Sequence, residues 1–120
     1  MKEEAMSLKI YHNPRCSKSR QTLALLQERG LEPEVIEYLK TPPSEAELGQ
    51  ILKMLGREPR ELMRKKEAEY EEAGLDDESL DRRALIAAMV KHPKVIERPI
   101  VVHGKRAAVG RPPEAVLDIL

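Results

Sequence analysis

The opening of the chain restricts the fold more than any other stretch. Leu8-Lys9-Ile10-Tyr11 reads as a short strand that runs into His12-Asn13-Pro14-Arg15-Cys16, a turn-forming segment with Asn and Pro. Ser17 to Arg29 contains no Gly or Pro, carries Leu23, Ala24 and Leu26 on an apolar face, and is stopped by Gly30. Glu34 to Leu39 then reads as a second strand. Two strands joined through a helix by short connections close as a right-handed crossover, which makes the strands parallel neighbours.

The remainder fits around that unit. Thr41-Pro42-Pro43 breaks the chain, and Ser44 with Glu47 forms a Ser-x-x-Glu capping pattern. Leu48, Ile51, Leu52 and Leu55 follow at helical spacing up to Gly56, and Pro59 starts a further short helix through Met63 and Arg64. Glu78 to His92 reads as a helix ended by Pro93. Arg98 to Val102 and Ala107 to Val109 flank His103-Gly104-Lys105-Arg106 as an antiparallel hairpin, and Pro112-Pro113 opens a last helix over Glu114–Leu120. The order β-α-β, helical block, β-β-α predicts an α/β fold with a mixed sheet flanked by helices. It is the order of a thioredoxin-like fold with a helical insertion at about residues 44–92, and 120 residues suit one domain.

Composition narrows the function classes. The chain holds 21 basic and 21 acidic side chains, three Tyr, and no Phe or Trp. Without net positive charge or stacking platforms, nucleic acid is not expected as a ligand. Met1 to Ile10 is charged and no stretch approaches a membrane span, so neither a signal peptide nor a membrane segment is expected. Met6 is a second possible start, which leaves open whether Met1–Ala5 is native. Glu58 to Asp81 holds ten acids against four bases, a solvated helical face or an acidic docking surface. A cytoplasmic monomer is the simplest expectation.

Cys16 is the one cysteine, which excludes an internal disulfide and a thiolate metal cage. It stands where the first strand passes into the first helix, so unpaired N–H groups and the positive end of the helix dipole face it. A thiol there loses its proton more readily, and Arg15, Lys18 and Arg20 add positive charge nearby. The position that would complete a dithiol holds Ser19, so any disulfide formed in turnover involves another molecule. A phosphatase-type loop would need Arg where Thr22 stands, and no phosphate-binding Gly pattern occurs. His12, His92 and His103 lack metal-ligand spacing, but His12 lies in the loop of Cys16 and either orients that loop or helps its thiolate. Arg64, Arg98 and Arg111 are the arginines suited to holding an oxyanion, although spacing alone leaves ordinary surface roles open.

Four separated blocks carry a resemblance: Ile10 to Arg20, Arg60-Glu61-Leu62-Met63-Arg64, Glu97 to Val102, and Gly110-Arg111-Pro112-Pro113. Over nearly the whole chain the sequence resembles the glutaredoxin-linked arsenate reductases. The resemblance implies a thioredoxin-like fold, Cys16 as the catalytic thiol, and Arg64, Arg98 and Arg111 as its arsenate-holding partners. His12, Ser19, Arg20 and Pro99 would support them, with Pro99 at a position typically cis. It implies no bound cofactor or metal, arsenate as substrate, glutathione as co-substrate, and glutaredoxin as the partner that clears a Cys16–glutathione disulfide. A related branch of transcriptional regulators that bind RNA polymerase often carries a dithiol, which Ser19 interrupts here. Two alternatives stay open: a glutathione-dependent thiol oxidoreductase on another substrate, and a non-catalytic partner-binding regulator.

Overall fold

A computed structural model of the chain describes residues 7–120; both possible starts, Met1 and Met6, lie outside them. Two compact units emerge. One joins the N-terminal part up to Thr41 with Arg98–Leu120, and the other is Pro42–Glu97.

The first unit is built on strands β1 (Leu8–His12), β2 (Glu34–Glu37), β3 (Ile100–His103) and β4 (Arg106–Val109), with helix α1 (Ser17–Glu28) between the first two. The sheet order is β2-β1-β3-β4. As the crossover argument requires, β1 pairs parallel with β2, Ile10 opposite Val35. β3 runs antiparallel to β1 with Val101 opposite Ile10, and β4 antiparallel to β3. Ile10 and Val101 thus stack side by side at the centre of the sheet, packed with Leu26 of α1 and with Val116 and Ile119 of a C-terminal 3-10 segment, Pro113–Ile119. This aliphatic cluster is what three tyrosines and no Phe or Trp allow.

Several boundaries differ from the sequence reading, each for a local reason. β2 stops at Glu37, and Tyr38 turns into the interior, 1% exposed. The last helix is 3-10 rather than α, starting behind two prolines that supply no N–H to a regular ladder. The hairpin turn places Gly104 at φ +61°, a conformation that costs a side-chain-bearing residue.

The Pro42–Glu97 unit holds α2 (Glu45–Leu55), α3 (Ala68–Glu72) and α4 (Arg82–Lys91). Ser44 caps α2: its hydroxyl accepts from the Glu47 N–H at 3.0 Å while the Glu47 carboxylate accepts from the Ser44 N–H at 2.8 Å. α4 begins at Arg82, later than Glu78, because Asp81 accepts from the Ala84 N–H and Asp77 holds Ser79 in a turn. α3 lies within the acidic Glu58–Asp81 stretch, which is expected to present a helical face but is given no helix bounds by the sequence. The helix expected from Pro59 through Arg64 is a 3-10 turn ending at Leu62.

Candidate active site

Local chemistry forms the loop between β1 and α1. The Asn13 side chain accepts from the Arg15 N–H at 2.9 Å, and the Cys16 N–H donates to the Asn13 carbonyl at 3.0 Å. Arg20, one turn into α1, donates to the Pro14 carbonyl at 2.9 Å and closes the loop from outside. Cys16 then occupies the N-cap of α1 with extended backbone (φ −95°, ψ 123°). A side-chain oxygen usually takes this position to accept from the first free N–H groups; here a thiol stands in it and makes no side-chain capping hydrogen bond. No acidic residue stands in the first turn to compete with a thiolate.

Cys16 is 9% exposed, and burial, the largest influence on its thiol, opposes ionisation. The Ser19 N–H, the Arg98 guanidinium and the Lys18 N–H outweigh it together, and the thiol sits below its ordinary pKa. Burial likewise opposes the charge of Arg98, but Cys16 and Tyr38 favour it more strongly and raise the pKa of that guanidinium. Arg111 reaches the same sulfur, its Nη2 donating to Sγ at 3.6 Å, while its Nε donates to the Arg98 carbonyl at 2.8 Å. Two guanidinium groups from sequence-distant segments therefore meet one sulfur.

Behind the thiol lies a buried polar chain. The Ser19 hydroxyl accepts from the Asn13 N–H at 3.0 Å and lies 2.6 Å from His12 Nδ1. The Ser19 hydroxyl and His12 Nδ1 thus share one hydrogen bond, its direction set by the imidazole tautomer. Burial, helped by Arg20 and opposed by Glu37, lowers the pKa of His12 below 6.5 and keeps that imidazole neutral. Ser19 is fully buried, His12 is 6% exposed, and each supplies the partner the other needs.

Known proteins match this chain along nearly its whole length. A profile of the ArsC family covers residues 11–119. The chain belongs to the ArsC family. It is 60% identical over 114 residues to the uncharacterized protein YfgD of Escherichia coli, covering 94% of this chain and 96% of that one. It is 51% identical over 114 residues to an arsenate reductase of Neisseria meningitidis, covering 94% and 97% respectively. A solved structure titled arsenate reductase from Vibrio cholerae superposes with a TM-score of 0.92 at 57% identity, covering 96% of this chain and 98% of that one. The fold is thus the thioredoxin-like α/β arrangement of this family.

Within the family frame, the structure brings Cys16, Arg98, Arg111, His12, Ser19, Arg20 and Pro99 into one unit. Pro99 is cis, and so is Pro112, which the sequence reading did not anticipate. Arg64 lies in the Pro42–Glu97 unit, where its guanidinium meets Glu97 at 3.1 Å and Glu67 at 3.5 Å. Among the described residues, no group of three or more His, Cys, Asp or Glu side chains is placed to hold a metal ion, and no helix is long and apolar enough to cross a membrane. Two supporting residues escaped the sequence reading: Tyr38 and Gly110. The Asn13 turn was legible in the Asn and Pro of its segment. Nothing local announces Gly110, whose N–H donates to the Pro99 carbonyl at 2.9 Å. A Cβ there would lie 2.5 Å from Thr22 Oγ1 and 2.8 Å from Pro99 Cγ.

Proposed function

We propose that this chain reduces arsenate to arsenite, with Cys16 as nucleophile, glutathione as reductant and glutaredoxin as the protein that regenerates the thiol. The observation that carries the reading is a Cys16 sulfur of lowered pKa that receives the Arg111 Nη2 at 3.6 Å and lies against Arg98. Such a site attracts a tetrahedral oxyanion and presents it to a thiolate. Relatives at about half identity that are named arsenate reductase support the substrate.

The chemistry runs in three balanced steps. The Cys16 thiolate attacks arsenic, forming an S–As bond, and an arsenate oxygen leaves as water after taking up protons. The glutathione thiolate then attacks Cys16 Sγ. An S–S bond forms, the S–As bond breaks, and its electron pair stays on arsenic, taking As(V) to As(III) as arsenite leaves. A glutaredoxin thiolate finally attacks the glutathione sulfur of the mixed disulfide and releases Cys16 as thiolate. With no second thiol in the chain, both electrons of the reduction come from outside. A reducing compartment such as the cytoplasm is what this chemistry needs.

The deciding measurement is NADPH oxidation in a mixture of arsenate, glutathione, glutaredoxin and glutathione reductase, with Cys16→Ser as the blank. Turnover that depends on Cys16 supports the proposal, and its absence overturns it. Competition between arsenate and a glutathionylated thiol separates this reading from a thiol oxidoreductase with another substrate. The family resemblance extends the oxyanion role to Arg64. An Arg64→Ala variant that binds arsenate like the wild type removes that residue from the proposal.

A further inference from the structure

A cleft of about 350 Å³ opens on the outer side of the reactive loop, between the His12–Arg15 segment and Glu37, Leu39 and Lys40 beyond β2. It is separate from the Cys16–Arg98–Arg111 cluster, and nothing in the three steps above has used it. Its charged side chains are two cations, Arg15 and Lys40, and one carboxylate, Glu37. Lys40 and Glu37 form an open ion pair at 3.6 Å, their side chains 80% and 45% exposed. Solvent-screened pairs of this kind exchange partners at little cost. Leu39, 38% exposed, supplies an apolar wall.

Two positive groups and one negative, set around an apolar patch, mirror a small peptide thiol bearing two carboxylates and one ammonium on aliphatic links. Glutathione has this pattern at neutral pH. We propose that this cleft docks the acidic peptide thiol, Arg15 and Lys40 taking its carboxylates, Glu37 its ammonium, and Leu39 packing against its aliphatic chain. The inference rests on the reading that an external thiol reduces the Cys16–arsenic adduct, and it locates where that thiol binds.

Reach is compatible with the chemistry. The Cys16 N–H closes a turn onto the carbonyl of Asn13, a residue of the cleft wall. The ends of such a turn lie within about 7 Å of each other, so a thiol held against Asn13 stands one turn away from Cys16. The cleft also touches His12, whose partner Ser19 directs an N–H at the Cys16 sulfur, so a bound ligand borders the groups that tune the nucleophile.

Two experiments on the full chain test the proposal. Titration with S-methylglutathione, which cannot react, is followed by amide NMR shifts. Shifts at Asn13, Arg15 and Glu37–Lys40 are expected. No binding at millimolar ligand, or shifts confined to Lys18 and Pro112–Glu114, overturns the proposal. In the coupled assay, the KM for glutathione is compared with that for its diethyl ester, which lacks both carboxylate charges and keeps the ammonium. Wild type should prefer glutathione by about tenfold, and Lys40→Glu should abolish that preference. An unchanged preference in the variant overturns the assignment of Lys40. If wild type does not turn over arsenate at all, the arsenate reading falls, while the titration still decides whether the cleft binds the thiol.

Discussion

The backbone N–H of Ser19 supports the Cys16 sulfur while its hydroxyl links Asn13 to His12, so one side chain couples the nucleophile to the loop that carries it. Arg98 acts on the same sulfur by charge. Arg98→Ala removes the guanidinium that favours the thiolate, and the midpoint of the alkylation rate of Cys16 against pH should move upward. Arsenate binding in that variant should weaken by about 1.5–3 kcal/mol, roughly tenfold to a hundredfold, as measured by equilibrium titration. An unchanged midpoint would show that Arg98 does not set the acidity. His12 yields a prediction of stability. Its folded pKa is lowered by burial, so between that value and the ordinary one of about 6.5 the unfolded chain binds more protons than the folded one. This contribution is complete above about pH 6.5 and lost as the pH falls through the folded pKa. Urea midpoints of wild type should therefore decline on acidification more steeply than those of His12→Gln.

At the scale of elements, the site depends on how closely α1 approaches the segments beside β3 and β4. Thr22, fully buried, sends its hydroxyl back to the Lys18 carbonyl at 2.8 Å and leaves room that the Gly110 backbone fills. Gly110→Ala would push a methyl group into Thr22 and Pro99, neither of which is a flexible chain end. A loss of about 1–3 kcal/mol in chemical unfolding is expected, with a measurable drop in Cys16 alkylation rate because Arg111 adjoins the displaced residue. Thr22→Ala combined with Gly110→Ala should recover part of the stability by removing the nearest contact. If Gly110→Ala were as stable as wild type, the close approach would not matter to packing.

At the scale of the molecule, the neutral total conceals two units of different character. The Pro42–Glu97 unit contains the acidic Glu58–Asp81 stretch, and Arg60 organises part of it. Its guanidinium donates to the Tyr70 hydroxyl at 3.1 Å and to the carbonyls of Leu75 and Asp77 at 2.7 and 2.6 Å. Arg60→Ala leaves those acceptors without their donor, and a thermal midpoint lower by several degrees is expected, from about 1–2 kcal/mol of lost stability. Hydrogen exchange should accelerate first at residues 70–77; protection equal to wild type would overturn the assignment. Much of this architecture was legible beforehand. Gly30 and Gly56 end their helices, Ser44 and Glu47 cap one, and the first strand–helix–strand stretch forced a parallel pair. These are local rules, in which a residue acts on its chain neighbours through backbone geometry and hydrogen bonds. The lone thiol at a helix start was likewise written in the sequence. Its partners Arg98 and Arg111 were implied by the family resemblance, not by spacing. Arg98 and Arg111 reach Cys16, and Gly110 meets Thr22, only because β3 pairs with β1 and carries distant segments to the start of α1. Chain spacing holds no distance information over such separations, so packing of the sheet and its aliphatic core decided which charges face the sulfur.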